Sequence, residues 1–338
     1  MHVLLVKLSS LGDIVHTLPA VEDATRQGTT FDWVVEEDFA AVPAMHRGVR
    51  EVIRAALRRW RTPGEGRFHE IREFGRELRR RSYDLVIDAQ GLIKSALIVS
   101  CSRSRVRAGY DRMSAREPAA ALFYSRREAV ETKDCHAIER IRRLFAATIG
   151  YDLPTNDPAF GLNTDGETEP YCVLLHGTTW ESKHWPEAFW THIAHRASQA
   201  GLTPILPWLS DAERRRAENV AHRVDGARAV GSMPLDAVAD LLARASAVVG
   251  VDTGLAHLSA ALGRPTVGLF GPTDARLTGC VGSRARNIQG DIECAPCLSR
   301  HCGYRGDALR WQGETVEPAC FARLDPDRVW TQVSELLA

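Results

Sequence analysis

The sequence lacks net charge, long apolar runs and the glycine-rich turn that so often opens a nucleotide-binding domain. Its 43 Lys and Arg balance 43 Asp and Glu, so no global electrostatic reason exists to bind nucleic acid. No stretch reaches the roughly 18 apolar residues of a membrane span. The opening "MHVLLVKLSS" is too short for a signal-peptide core and carries no small-residue cleavage site. A cytoplasmic protein is expected, with any membrane contact peripheral. With 44% hydrophobic and 25% charged residues, the 338-residue chain has a globular composition and room for two domains. The sequence sets no oligomeric state.

A second CxxC is also missing. Cys294, Cys297, Cys302 and Cys320 cluster in "CAPCLSRHC" and a later "ACF". Such a set can hold structural zinc, but one CxxC pair leaves reduced or disulfide-bonded loop cysteines open as alternatives. The scattered Cys101, Cys135, Cys172 and Cys280 read as small buried residues.

What is present is alternation. "VLLV" (3–6), "FDWVV" (31–35), "EVIRAAL" (51–57) and "YDLVIDAQG" (83–91) read as strands, and "HAIERIRRLFAATIG" (136–150) as a helix stopped by Gly150. Residues 151–170, rich in Pro, Gly, Asp, Asn and Thr, read as a linker. The pattern then restarts with "YCVLLHG" (171–177), "TPILPW" (203–208), "ARAVG" (227–231), "ASAVVGVDTG" (245–254) and "PTVGLFGPTD" (265–274). Strand–helix alternation predicts an α/β protein with two parallel sheets, each covered by helices. Ligands of such sheets bind beyond the carboxyl ends of the strands, so the informative residues follow the strands.

Beyond the first strand, "LVKLSSLGDIVHTLPAV" places Asp13 where a phosphate would normally sit. Asp13 fits two readings: a carboxylate stabilising a helix N-terminus, or a functional group in a half that does not hold an anion. "LLHGTTWESKHWP" (174–186) brings His176, Gly177, Thr178, Thr179 and Lys183 just past a strand. Hydroxyls, helix-entry N–H groups and a cation suit phosphate oxygens, although a helix cap and a surface lysine have the same spelling. Asp252, Thr253 and Gly254 end another strand, with His257 close behind. Between Arg47 and Arg81, 12 arginines accompany 5 glutamates. Most suit a solvated face, but "LRRWR" sets Arg58, Arg59 and Arg61 around Trp60, a grouping able to grip carboxylate or phosphate.

These segments resemble the lipopolysaccharide heptosyltransferases of glycosyltransferase family 9. The likeness runs through "KLSSLGDIVHTLPA", "FDWVVEE", "RRWR", "YDLVIDAQGLIKSA", "AREPAAALFYSRR", "HAIER", "TTWESKHWP", "LPW" and "VDTGLAHLSAALGRPTVGLFGPTD". "DAQGLIKSA" and "AREP…LFY" are similar to the branch that adds the first heptose. The resemblance implies a GT-B fold, two Rossmann-like domains facing each other across a cleft. It implies an acceptor domain over 1–160, an ADP-heptose domain over 161–324, and a closing helix over 325–338 returning toward the first half. The implied reaction is inverting, metal-independent transfer of L-glycero-D-manno-heptose from ADP-heptose to Kdo of Kdo2-lipid A. No cofactor is required, no nucleic acid is a partner, and the site is the cytoplasmic face of the inner membrane.

Residue by residue, the resemblance implies Asp13 as general base and Lys183, with Thr178 and Thr179, at the diphosphate. Glu213 falls at the ribose and Met233 beside the adenine. Asp252 contacts the heptose, and Thr253, Gly254 and His257 surround the sugar diphosphate. Ser10, Gly12, Arg58, Arg59, Arg61, His136 and Arg140 fall on the acceptor side. "HGTT" and "WES" depart from the family's usual diphosphate loop, and the cysteine-rich stretch is absent from short relatives. Another family 9 heptosyltransferase with a different acceptor is the alternative; a non-catalytic nucleotide-sugar binder is a further one.

Overall fold

The structure is a computed structural model and describes residues 1–162 and 166–338. The chain divides into two compact units, Met1–Asn163 and Thr164–Ala338.

In the first unit six strands, β1 (His2–Val6), β2 (Thr30–Glu36), β3 (Val49–Ala55), β4 (Leu85–Asp88), β5 (Arg107–Tyr110) and β6 (Arg126–Glu128), form one parallel sheet in the order β3-β2-β1-β4-β5-β6. The central β1 reads as an unbroken apolar run because both its faces are covered: Val3, Leu4, Leu5 and Val6 are all fully buried. The helix Ala137–Ile149 packs on Leu18–Arg26, and Gly150, at φ +90°, ends it in the left-handed conformation that glycine adopts without strain. The buried Arg142 on that helix meets Asp23 at 2.6 Å and donates to the Pro154 carbonyl at 3.2 Å. The first part of the expected linker is thus strapped onto its own unit. Residues 163–165 of that linker lie outside the described residues.

The second unit repeats the plan. Strands β7 (Glu169–Leu175), β8 (Thr203–Pro207), β9 (Arg228–Val230), β10 (Ala245–Val251), β11 (Thr266–Phe270) and β12 (Ala285–Gln289) order as β12-β11-β10-β7-β8-β9, again all parallel. Read from the first strand of each unit, the two orders are identical. Both place a reversal of winding beside the first strand, between β1 and β4 and between β7 and β10, where open parallel sheets take their ligands. The second core is aromatic, with Trp185, Phe189 and Trp190 stacked edge to face. The apolar stripe of the closing helix Pro326–Leu337, Val329, Trp330, Val333 and Leu336, belongs to the second core and leans on the helix Glu187–Gln199, β10 and β11. Strands β5, β6 and β12 were not expected; they are three to five residues long and rich in Arg, Gly or Asn rather than in β-branched residues.

Candidate active site

In the first unit, β1 hands over to Lys7 and a turn closed by its neighbour. Gln90, just past β4, uses its side-chain oxygen to accept the Leu8 and Ser9 N–H groups at 3.0 and 3.2 Å. Asp88 shapes that partner loop in turn, accepting the Gln90 and Gly91 N–H groups and, at 2.7 Å, the Tyr124 hydroxyl. Burial pushes the Asp88 carboxyl up, against those bonds.

Asp13 stands on the short helix Leu11–Val15 and completes a capping box with Ser10. Its Oδ2 accepts the Ser10 N–H at 2.8 Å and the Ser10 hydroxyl at 3.0 Å. The helix-cap reading is therefore correct as far as it goes. Yet the side chain is 37% exposed, and Oδ1 lies 3.8 Å from the Nζ of Lys7, a buried lysine also donating to the Ala89 carbonyl at 3.1 Å. Partial desolvation opposes ionisation of Asp13, but the Lys7 ammonium and the Ser10 bonds outweigh it and hold the carboxyl below its ordinary value. Burial lowers Lys7, with Asp13 and Asp88 opposing. Gly12, one residue before Asp13, accepts the His16 N–H through its carbonyl at 2.8 Å.

The other expected residues of this unit separate into tied and available groups. His136 caps its helix, accepting the Ile138 N–H at 3.2 Å, and meets the His16 ring edge-on at 5.4 Å. Arg140 lies 4.8 Å from the Tyr110 ring and donates to the Ser114 carbonyl; its buried Nε has no partner among the described residues. Arg58 pairs with Asp38 at 3.3 Å, and Arg59 bridges Glu37 and Glu70 at 3.1 and 2.6 Å. Trp60 donates to the same Glu70 at 2.8 Å. Arg61 carries no ion pair among the described residues. Its field falls on Lys94, whose ammonium is lowered first by burial, then by Arg61, with Arg58 and Arg116 adding to the effect. Arg116 also acts on Lys7. Lys7, Lys94 and Arg116 were not singled out from sequence; Lys7 and Lys94 do follow β1 and β4, which is the signal that would have found them.

In the second unit the loop after β7 does not enter a long helix at Thr178–Thr179. A single 3₁₀ turn, Glu181–Lys183, follows, and the helix begins only at Glu187, after Pro186. Proline holds its predecessor, Trp185, in an extended conformation and so delays helix entry. Thr178 is half-buried, Thr179 is exposed, and neither hydroxyl is hydrogen-bonded among the described residues. Thr253 stands at the N-cap of the helix Gly254–Ala261 without using its side chain as a cap.

Between these loops runs a chain of contacts. Lys183 Nζ meets Asp252 Oδ2 at 2.7 Å, and Thr273, just past β11, donates to the same oxygen at 2.7 Å. His257 Nε2 lies 3.4 Å from Asp252 Oδ1, and its Nδ1 lies 3.5 Å from Cys280 Sγ. Burial resists ionisation of Asp252, but His257 and Lys183 hold its carboxyl far below the ordinary range. Burial also resists protonation of His257, yet Cys280 and Asp252, one at each ring nitrogen, lift it to about 10. Thr273 is a site residue missed in the sequence, though it stands at a strand end in "GPTD".

Glu213 closes a capping box with Ser210, one oxygen accepting the Leu209 and Ser210 N–H groups at 2.8 and 3.1 Å. Its other oxygen approaches Gly177 so closely that a β-carbon there would lie 2.5 Å away, which explains the glycine. Past β9, Gly231 gives Trp208 the same room, and the half-buried Met233 follows.

The glycosyltransferase family 9 (heptosyltransferase) profile matches residues 71–306. Over a 352-residue alignment covering all of this chain and 98% of the relative, the chain is 46% identical to lipopolysaccharide heptosyltransferase 1 of Pseudomonas aeruginosa. The E. coli heptosyltransferase WaaC solved with ADP superposes at a TM-score of 0.85 and 37% identity, over 99% of this chain and 100% of that one. The same enzyme with ADP-2-deoxy-2-fluoro heptose superposes at 0.80, with 37% identity and 99% of each chain covered. The chain belongs to glycosyltransferase family 9, the heptosyltransferases.

Proposed function

We propose that this glycosyltransferase moves L-glycero-D-manno-heptose from ADP-heptose to a Kdo hydroxyl of Kdo2-lipid A, with inversion at the anomeric carbon and without a metal ion in the reaction. The donor rests on the relative solved with ADP and with a fluorinated ADP-heptose. The acceptor rests on the naming of the relatives as lipopolysaccharide heptosyltransferase 1.

The observation that carries the reading is the contrast between the two switch points. Asp13, oriented by Ser10, held ionised beside Lys7 and half-open to solvent, is a base placed for an incoming hydroxyl. Its lowered pKa makes it always ready but intrinsically weak, so positioning supplies much of its effect. In the step proposed, the Kdo oxygen bonds to the heptose anomeric carbon and its proton passes to Asp13. The bond from that carbon to the ADP oxygen breaks, and the electron pair leaves with ADP.

Leaving-group charge is the task of the second unit. Lys183, the Thr178, Thr179 and Thr253 hydroxyls and the helix beginning at Gly254 offer donors to the diphosphate. Until donor binds, Asp252 keeps Lys183 ordered; afterwards Asp252 is an acceptor for sugar hydroxyls. Glu213 takes the ribose, and Trp208 and Met233 the adenine. On the first unit Arg61, Lys94 and Arg116 supply cations for the anionic acceptor.

No helix among the described residues is long and apolar enough to cross a membrane. The first unit exposes Phe68 (77%), with the Arg67 guanidinium over its ring, and Met113 (87%) and Leu122 (68%), apolar side chains suited to the surface of the membrane that holds the acceptor, on its cytoplasmic side. The test is turnover of ADP-heptose on defined acceptors. Kdo2-lipid A should release ADP in step with heptose transfer. Activity only on an already heptosylated core would replace the acceptor, and ADP binding without release on either would make the chain a binder.

A further inference from the structure

The segments "YDLVIDAQGLIKSA" and "AREPAAALFYSRR" hold more than the two cations Lys94 and Arg116. Asp88 and Gln90 come from the first and Tyr124 from the second, and the transfer step gives none of them a part. All three are nevertheless buried. A buried acid, amide or phenol costs free energy unless its polar atoms are hydrogen-bonded. Where those bonds go therefore shows what the three residues hold.

The bonds run from the core of the first unit to the loop that carries Asp13. The Tyr124 hydroxyl donates to Asp88 Oδ2 at 2.7 Å, and Asp88 Oδ1 accepts the Gln90 and Gly91 N–H groups at 2.8 and 3.0 Å. The backbone at Gln90 is thereby fixed. Gly91 follows at φ +68°, where a β-carbon would meet the Arg116 nitrogen and the Tyr110 ring, each at 3.3 Å. The loop thus turns tightly against residues 115–117. Glu117 closes that contact, its N–H donating to the Gly91 carbonyl at 3.0 Å and its carboxylate accepting the Ile93 N–H at 2.7 Å. So held, Gln90 turns its side-chain oxygen to the Leu8 and Ser9 N–H groups at 3.0 and 3.2 Å. Only the oxygen of an amide accepts, so these two donors also fix which way round the side chain lies. Ser10, next in the chain, grips Asp13 through its N–H and its hydroxyl. Lys7 adds a second rung between the same two loops through the Ala89 carbonyl.

We propose that Gln90 is a positioning residue for Asp13. Its side-chain oxygen fixes the Leu8–Ser9 backbone so that Ser10 presents the Asp13 carboxylate to the incoming hydroxyl, and Asp88 and Tyr124 hold Gln90 in place. The inference rests on Asp13 as general base, as proposed above. The need for such a brace is physical. The helix that carries Asp13, Leu11–Val15, has five residues, and helices shorter than about 12–15 residues are marginal by themselves. Its entry must be held from outside. Without the Gln90 oxygen two backbone donors beside the buried Leu8 lose their partner, and the turn moves to find others. A displacement of about 1 Å at a reacting group costs on the order of 10²-fold in rate. Gln90 acts through Asp13, not on the reacting atoms.

The experiment is a double-mutant cycle on the full chain, with ADP-heptose and Kdo2-lipid A as substrates. Gln90→Met keeps the length of the side chain and removes the accepting oxygen. Its kcat should fall by about 10–10²-fold, while acceptor KM and the ADP affinity read by calorimetry stay at wild-type values. In the Asp13→Asn background the same change should cost nothing further, because a residue that acts only through the base then has nothing left to position. Gln90→Glu has a carboxyl oxygen that accepts the two N–H groups in either charge state, and it should recover most of the lost kcat. Tyr124→Phe should lower kcat less than Gln90→Met does, and again only where Asp13 is present. If Gln90→Met melts without a cooperative transition, Tyr124→Phe, which removes a single hydroxyl, carries the same cycle. Losses that multiply in the double variant overturn the positioning role. So does a Gln90→Met enzyme that loses acceptor KM or ADP affinity instead of kcat. Asp13→Asn at the wild-type rate overturns the base assignment itself, whereas an impaired Asp13→Asn beside a Gln90→Met enzyme of normal kcat overturns the positioning role alone.

Discussion

The two units share one strand order and part company at the strand ends. After β1 stands a carboxylate backed by a buried lysine; after β7 and β10 stand free hydroxyls and a lysine backed by a carboxylate. The fold chooses where a ligand goes, since both sites lie at a reversal of winding. The few side chains there choose its charge. Lysine use makes the point. The chain has 4 lysines, Lys7, Lys94, Lys133 and Lys183, and Lys7, Lys94 and Lys183 follow β1, β4 and β7. Arginine, with its rigid fork, does nearly all the surface pairing, while ammonium groups are placed after strand ends in Lys7, Lys94 and Lys183.

The largest test of this division is Asp13→Asn. Transfer should fall by about 10²–10⁴-fold, the range for removal of a general base. ADP affinity should stay at the wild-type value, because every residue proposed to hold the donor lies on the other unit. A parallel loss of ADP binding, measured by calorimetry, would break the separation of roles. Next in size is Lys183→Met. Loss of a donor to the leaving group costs about 10²–10³-fold in kcat, and here ADP binding should weaken too. A variant with normal kcat would leave the second unit without its electrophilic group.

The acceptor cations are expected to be unequal. Arg61 carries no ion pair among the described residues and Lys94 lies mainly among positive charge, so each should raise the acceptor KM about tenfold or more on truncation to Ala, as expected for a charge-assisted hydrogen bond of about 1.5–3 kcal/mol. Arg59 already serves Glu37 and Glu70. Exposed pairs of this kind contribute about 0.2–1 kcal/mol, so Arg59→Ala should change stability slightly and acceptor KM less than Arg61→Ala does. Equal effects would return all three residues to one undifferentiated basic face.

That inequality marks the limit of what the sequence discloses. The alternation of strands and helices was legible, and so was the place of Asp13, Lys183 and Asp252 beyond strand ends, because burial on two faces leaves long apolar runs and loops after strands are short. Strands β5, β6 and β12 were not, since they are three to five residues long, and β6 and β12, at the sheet edges, bury little. "RRWR" could be read as basic but not as half-neutralised. Glu37 and Glu70 reach it from elsewhere in the chain, and pairings between distant segments leave no local periodicity.

A smaller contrast is in the histidines. Burial pushes His46 in the first unit and His176 in the second down to about 4, whereas His257 is lifted to about 10. For His46 and His176 the unfolded chain takes up the proton first. Stability is then lost as pH falls from about 6.5 toward 4. For His257 the folded chain holds the proton more tightly. Its contribution is fully present below about 6.5 and is lost as pH rises through about 10. Thermal melts between pH 7 and 10.5 should therefore flatten in His257→Gln, with about 2–4 °C at stake per kcal/mol in a domain of this size. His46→Gln should flatten the acid side alone. An unchanged alkaline slope in His257→Gln would mean that Cys280 and Asp252 do not hold the imidazolium.

The smallest expected effect is that of a chelator, and it tests the second unit. If Lys183, the threonine hydroxyls and the helix starting at Gly254 carry the charge of departing ADP, EDTA should leave the initial transfer rate unchanged over a short assay. Immediate loss restored by Mg²⁺ alone would place the leaving-group charge on a bound ion and overturn the role given to Lys183.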